Sequence, residues 1–195
     1  MVAISKKKPN TTKTKKPKKI SWEVFQRKYL TREDGYKYEW LDGIVEKTTH
    51  AMNKNQLYIV DNLINFFQTI KVKFSIKGSL LAEGDTFFGG NHRRPDIAFY
   101  TRKQLIEAAN DANIVPLFVI EIVSANDQMN YMHKKMQDYR AAEVAVAWHI
   151  FPELQEVHVY TDKLNKMEVL KAKQICSAEV IIKGFKIAVK DIFKK

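Results

Sequence analysis

Two acidic residues and one lysine are the side chains of this sequence best suited to chemistry. Asp96 heads a short apolar run, and Glu121 lies inside the longer apolar run Leu117–Val123. A carboxylate without a partner resists transfer into an apolar strand, so Glu121 needs a compensating charge. A divalent cation is a strong candidate for that charge. Two acids on neighbouring strands, with Lys135 on the helix that follows, predict metal-assisted phosphodiester hydrolysis.

The two acids are the predicted metal ligands. Carboxylate oxygens are hard donors, which suit Mg²⁺ or Mn²⁺. Each acid also has a simpler interpretation. Asp96 follows Pro95 and is compatible with a turn or a strand start, and Glu121 is compatible with the exposed face of an edge strand. If Glu121 is buried beside Asp96, burial and repulsion between the carboxylates predict a raised pKa for Glu121.

The order of elements along the chain predicts an α/β or α+β domain over residues 20–195. Ser21 is a candidate helix N-cap, and the Asp42-Gly43 pair is a strong hairpin signal between two strands. An amphipathic helix over 54–70 and a strand over 74–81 come next. The remaining predicted elements are the Asp96 strand, a helix capped by Thr101, the Glu121 strand, a helix over 127–142, a strand over 144–150 and a hairpin over 156–170.

The helix over 127–142 decides which lysine can reach the acids. Its apolar stripe contains Met129, Met132, Met136 and Tyr139. At about 100° per residue, Lys134 falls opposite this stripe, whereas Lys135 flanks it. His133 flanks the other edge of the stripe equally well, so helix geometry leaves both open. A long lysine stem that only covers core surface is the simpler alternative for Lys135.

The positive charge of the chain is concentrated at its start. The net charge is +11, and residues 1–19 hold eight lysines and no acid. Without them the chain carries 25 basic and 22 acidic side chains, a balance of +3. A segment of this composition cannot bury a core, which predicts a disordered tail. The tail either binds nucleic-acid phosphates without sequence preference, through Lys13, Lys15, Lys16, Lys18 and Lys19, or only keeps the protein in solution.

Cysteine usage and hydropathy favour a cytoplasmic protein without a membrane span. Cys176 is the only cysteine, so an intramolecular disulfide is impossible. The longest apolar run, Ile114–Val123, is far shorter than the roughly 20 residues that cross a bilayer.

Several short motifs occur in an order that resembles a known nuclease family. They are Tyr38-Glu39-Trp-Leu-Asp42-Gly43, Arg94-Pro95-Asp96, Val119-Ile-Glu121-Ile-Val-Ser124, Lys135 with Tyr139, Val146-Ala-Trp148-His-Ile150 and Gly184-Phe185. Together they resemble the Uma2-like family (DUF820) of the PD-(D/E)xK superfamily. The resemblance covers residues 22 to 193, nearly everything except the basic tail.

The resemblance implies a fold and a set of site residues. The fold is a restriction-endonuclease-like core, a mixed sheet flanked by helices, here with an N-terminal β-hairpin and a C-terminal β meander. The usual lysine lies two residues after the second acid, where this chain has Val123. Lys135 matches the variant in which the lysine has moved to the following helix. Glu39 matches an early glutamate that completes such metal sites, although a solvent-facing strand residue is the alternative.

The resemblance also implies a reaction and partners. These are magnesium-dependent cleavage of DNA and pairing of two copies to cut both strands. Two other hypotheses stay open at this point. One is a noncatalytic nucleic-acid-binding protein that acts through its lysine-rich tail. The other is an interaction module whose acids form internal ion pairs with Arg93 or Arg94.

Overall fold

The computed structural model describes residues 17–49, 56–88, 90–124 and 129–195. The strands are β1 (Tyr36–Leu41), β2 (Ile44–Thr49), β3 (Gly78–Ala82), β4 (Thr86–Phe88), β5 (Asn91–Arg93), β6 (Ile97–Thr101), β7 (Phe118–Ile122), β8 (Val146–Phe151), β9 (Glu156–Thr161), β10 (Lys166–Lys171), β11 (Ile175–Ser177) and β12 (Lys186–Ala188). The α-helices are α1 (Trp22–Phe25), α2 (Leu57–Phe74), α3 (Arg102–Ala108), α4 (Met129–Ala141) and α5 (Val189–Ile192), and a π-helical turn, Gln26–Leu30, follows α1.

A six-stranded mixed sheet forms the centre of the fold. Its order is β10-β9-β8-β7-β6-β3, in which β7 and β8 run parallel and the other neighbours are antiparallel. Every residue of β7 is buried. This agrees with its continuous apolar run, because a strand covered on both faces has no polar side to show.

Helices cover both faces of this sheet. On one face, Leu63 and Phe67 of α2 and the buried residues of α5 pack against Phe99, Ile120 and their neighbours. On the other face, Met136 and Tyr139 of α4 pack with Ala98, Val119 and Ala147. The predicted mixed sheet flanked by helices is confirmed. Of the helices in the described segments, none is long and apolar enough to cross a membrane.

The N-terminal hairpin belongs to a second, smaller sheet with the order β2-β1-β5-β4. Its turn consists of Asp42 and Gly43, with φ of 51° and 86°. Two successive positive φ angles are what a two-residue turn of this hand requires, and they explain the Asp-Gly pair. Ile20 joins the chain start to this turn, because its N–H donates to the Gly43 carbonyl at 2.7 Å.

Local sequence signals predicted two helix starts correctly and one helix end incorrectly. The Ser21 hydroxyl accepts from the Val24 N–H, and Thr101 forms a capping box with Gln104, as the sequence predicts. The second predicted helix does not end at residue 70 but continues to Phe74. There Ser75 adopts a left-handed conformation that ends the helix. The strand predicted over 74–81 consequently begins at Gly78. Residues 54 and 55 of that helix prediction lie outside the described residues.

Candidate active site

The sheet brings Asp96 and Glu121 together. The antiparallel register pairs Ile97 with Ile120, so one residue further along Asp96 lies opposite Glu121. The Ile122 N–H donates to Asp96 Oδ2 at 2.8 Å and fixes that carboxylate at the end of β7. Glu121 is 3% exposed, on a strand that lies between β6 and β8. The exposed edge-strand interpretation of Glu121 is therefore wrong.

Helix α4 presents Lys135 and Tyr139 to the buried Glu121. Lys135 Nζ lies 2.8 Å from Glu121 Oε2, and the Tyr139 hydroxyl donates to Glu121 Oε1. Residues four apart on a helix share a face, which is why both side chains reach the same carboxylate. Both oxygens of Glu121 are therefore hydrogen-bonded, as a buried carboxylate requires.

Lys135 differs from its neighbours on α4 in the residues that it contacts. Lys134 is 40% exposed and pairs with Asp42 in the hairpin turn at 3.3 Å. His133 is exposed and lines a cavity of about 460 Å³ between α4 and strands β8 and β9. Of these three residues, Lys135 is the one that contacts Glu121. Met129, predicted in the apolar stripe, is 82% exposed at the start of α4.

Glu39 is a further buried acid of the same cluster. It is 1% exposed and accepts from the Arg93 guanidinium at 3.0 Å, from the Arg94 N–H at 2.9 Å and from the Tyr131 hydroxyl. The solvent-facing interpretation of Glu39 is therefore wrong. Lys135 Nζ lies 3.8 Å from Glu39 Oε1, so this lysine links the two carboxylates.

Contrary to the interaction-module hypothesis, Arg93 does not pair with Asp96 or Glu121. Its guanidinium binds Glu39 and Asp138 of α4, the latter through Nε at 2.8 Å. Asp96 and Glu121 pair instead with lysines. The arginine is fully buried, and a buried guanidinium needs such charged acceptors.

Sequence reasoning missed Lys37, which completes the cluster. Its Nζ lies 3.1 Å from Asp96 Oδ1, and the residue is 6% exposed. Lys37 and Glu39 are two residues apart on β1, and side chains at that spacing point to the same face of a strand. This period of two was the signal that could have found Lys37 once Glu39 was a candidate.

The three carboxylates of the cluster differ in their pKa values. Burial raises the pKa of Glu121, Asp96 adds to that rise, and the lysines only partly offset it. The predicted direction for Glu121 is confirmed. Burial also acts on Glu39, but Lys135, Lys37 and Arg93 outweigh it and lower its pKa to about 2. The pKa of Asp96 is likewise lowered, because Lys37, Lys135 and the Ile122 N–H outweigh its burial.

Lys135 is held as a cation. Burial alone would lower its pKa, but Glu121 and Glu39 raise the pKa well above the ordinary value for lysine. A protonated ammonium donates hydrogen bonds and carries charge, and it cannot accept a proton. The contacts of Lys135 with Glu121 and Glu39 favour its protonated form.

Asp96 and Glu121 suit an ion, such as Mg²⁺, that takes few of its ligands from the protein. Among residues 17–49, 56–88, 90–124 and 129–195, no group of three or more His, Cys, Asp or Glu side chains is placed to hold a metal. Asp96 and Glu121 supply two carboxylates. Mg²⁺ is commonly bound by one or two carboxylates, with waters and substrate phosphates completing its octahedron. The pair is compatible with that mode and not with an all-protein cage.

The lysines of the predicted tail are only partly described. Lys18 and Lys19 are exposed just before α1, and Lys13, Lys15 and Lys16 lie outside the described residues.

Comparison with known proteins identifies the family. The model of the Uma2 family, described as "Putative restriction endonuclease", matches residues 22–190. A crystal structure of "a putative nuclease belonging to DUF820" from Anabaena variabilis ATCC 29413 superposes with a TM-score of 0.67. It shares 19% sequence identity, over 80% of this chain and 89% of that chain, and at this identity it establishes the fold alone. None of the curated proteins matches the chain. The extent of the family match shows that the chain belongs to the Uma2 family.

Proposed function

We propose that this protein is a metal-dependent endonuclease that hydrolyses phosphodiester bonds in DNA. The observation that carries the proposal is the placement of Asp96 opposite Glu121, with Lys135 2.8 Å from Glu121. Buried carboxylates beside a buried lysine are costly to assemble, and such constellations are typical of functional sites. The family description and the nuclease title of the structural neighbour support the same class of reaction.

Each residue of the cluster has a role in this proposal. Asp96 and Glu121 would hold Mg²⁺ or Mn²⁺, and the bound ion would supply an activated water and stabilise charge on the phosphate. Lys135, which is a cation, offsets the charge that develops on the scissile phosphate. Glu39, held by Arg93 and the Arg94 N–H, keeps a second carboxylate 3.8 Å from Lys135 and so orients the ammonium.

A cleavage assay with conservative variants tests the proposal. Asp96→Asn and Glu121→Gln keep the size of each side chain and remove its charge. We expect the parent to nick and linearise a circular plasmid with Mg²⁺ or Mn²⁺ and not with EDTA. Each variant should lose at least about 100-fold in rate, since each removes a ligand. Lys134→Ala, which changes an exposed lysine on the same helix, is the matched control and should cut normally.

Two results of cleavage assays would contradict the proposal. If the parent cuts equally well in EDTA, the reaction does not require a metal. If it cleaves a matched RNA but not DNA, DNA is not its substrate. Thermal melting supplies a check without catalysis. Mn²⁺ should raise the melting temperature of the parent but not of Glu121→Gln, because a ligand that binds only the folded state stabilises it.

One observation favours a noncatalytic alternative. Asp96, Glu121 and Glu39 each already have a cationic partner, so the cluster is also a satisfied ion-pair network. A nucleic-acid-binding or interaction protein that keeps the nuclease fold would look the same. That alternative predicts that Mn²⁺ leaves melting unchanged and that Glu121→Gln is strongly destabilised, because Lys135 loses its buried partner.

A further inference from the structure

Lys37 and Lys135 occupy different positions relative to the two acids. Lys135 lies between two carboxylates, at 2.8 Å from Glu121 and 3.8 Å from Glu39. Among the described residues, Asp96 is the acid with which Lys37 forms an ion pair, at 3.1 Å. If both acids engaged a metal, Lys135 would keep Glu39 as its partner. Lys37 would lose the partner that it has.

The Lys37–Asp96 pair is also the one nearer to solvent. The Asp96 side chain is 22% exposed, whereas that of Glu121 is 4% exposed. One Asp96 oxygen is fixed by the Ile122 N–H, and the other faces Lys37 Nζ. A cation that binds the Asp96 oxygen not held by the Ile122 N–H therefore meets Lys37 there. Repulsion between like charges makes the two cations compete for that oxygen.

The side chain of Lys37 can move when it is displaced. A lysine carries its compact charge on a flexible four-carbon stem, unlike the rigid fork of an arginine. A phosphate group brought to Asp96 would be an acceptor for the released ammonium. We propose that Lys37 competes with the divalent cation for Asp96 and, once displaced, binds the phosphate of the substrate strand. This inference rests on the proposed nuclease function and adds a substrate-binding residue to it.

Removal of the Lys37 charge should change metal affinity in a way that a purely structural role of Lys37 would not. Lys37→Met keeps the apolar stem and removes the ammonium. We expect calorimetry to show that the variant binds Mn²⁺ about tenfold more tightly than the parent, because the competing cation is gone. In plasmid cleavage the KM of the same variant should rise several-fold with a smaller change in kcat, since a phosphate contact is lost.

Two further variants serve as controls. Lys47→Met changes an exposed lysine on β2, opposite Tyr38 in the hairpin register, and should leave Mn²⁺ affinity and KM unchanged. Lys37→Arg restores the positive charge and should return Mn²⁺ affinity toward that of the parent. Circular dichroism should show that all variants are folded.

The outcomes separate this inference from the proposed function. If the parent binds Mn²⁺ and cuts DNA but Lys37→Met binds Mn²⁺ equally or more weakly, the competition is refuted and the nuclease function stands. If Mn²⁺ binding tightens and KM stays unchanged, the phosphate contact is refuted. A parent that neither binds Mn²⁺ nor cuts DNA overturns both proposals.

Discussion

The pKa of each carboxylate in this site is set by the balance between its burial and the charges around it. Glu39 and Glu121 are almost equally buried, at 1% and 3% exposure. Lys135, Lys37 and Arg93 together lower the pKa of Glu39 to about 2 against its burial. For Glu121 the burial cost and the nearby Asp96 prevail, and the pKa is raised. The two glutamates therefore affect the pH dependence of folding in opposite directions.

Glu39 should stabilise the folded protein against acid. Its pKa is about 2 in the folded state and near 4.5 when unfolded, so its contribution is fully present above pH 4.5. It is lost as the pH falls from 4.5 toward 2, and it amounts to on the order of 3 kcal/mol. Urea denaturation at a series of pH values should show that the parent loses stability faster over this window than Glu39→Gln. Parallel curves for the two proteins would contradict the prediction.

Helix α4 connects the site to the rest of the molecule. One side of it carries Tyr131, Lys135, Asp138 and Tyr139, which contact the buried acids and Arg93. Another side carries Met132 and Met136, which line the cavity beside β8 and β9. Because successive residues point about 100° apart, a change of one position moves a lysine from the buried cluster to the surface.

Adjacent lysines on α4 should therefore differ in their effect on stability. Lys135→Ala leaves Glu121 and Glu39 buried with less compensation, and the free energy of unfolding should fall by about 3–5 kcal/mol. Lys134→Ala breaks only an exposed pair with Asp42 and should cost less than about 1 kcal/mol. Chemical denaturation measures both values.

A double variant checks the cause of that difference. In Lys135→Met with Glu121→Gln, both charges of the buried pair are removed. Lys135→Met should cost less stability in the Glu121→Gln background than in the parent, because in the double variant neither charge is left buried alone. Additive losses would show that the pair is not coupled.

Across the whole molecule, most of the net positive charge belongs to the first 19 residues of the sequence. Residues 1–19 supply eight lysines, whereas the candidate site pairs each of its carboxylates with a cation. Ile20 is tied to the hairpin through Gly43 and Trp40. A deletion that stops before residue 17 removes most of the lysines and leaves these contacts in place.

Deletion of residues 1–16 should change DNA binding without changing stability. Six lysines are removed. If they neutralise phosphates, the dependence of log K on log salt should become shallower by up to about 5, and affinity should fall at low salt. The melting temperature should change little. The control keeps the length of the tail and replaces the six lysines by glutamine; it should behave like the deletion. An identical salt slope in all three proteins would show that the tail acts only on solubility.

Features that depend on neighbouring residues could be predicted from the sequence. Caps at Ser21 and Thr101, the Asp42-Gly43 turn and the buried strand around Glu121 follow from short-range hydrogen bonding and periodicity, and the structure has them. The family motifs extended this to the order of elements and to Asp96, Glu121, Lys135 and Glu39, which the structure places in one cluster.

The pairing of these charges follows from the tertiary fold. Lys37 meets Asp96 across 59 residues of chain, and Glu39 meets the Arg94 N–H across 55. Arg93 binds Asp138 across 45 residues, where sequence reasoning had offered Arg93 to Asp96 or Glu121. Periodicity states which face of a strand or helix a side chain occupies. The register between strands and the docking of α4 determine which opposite charge lies next to that face. A buried carboxylate is costly unless an opposite charge pairs with it.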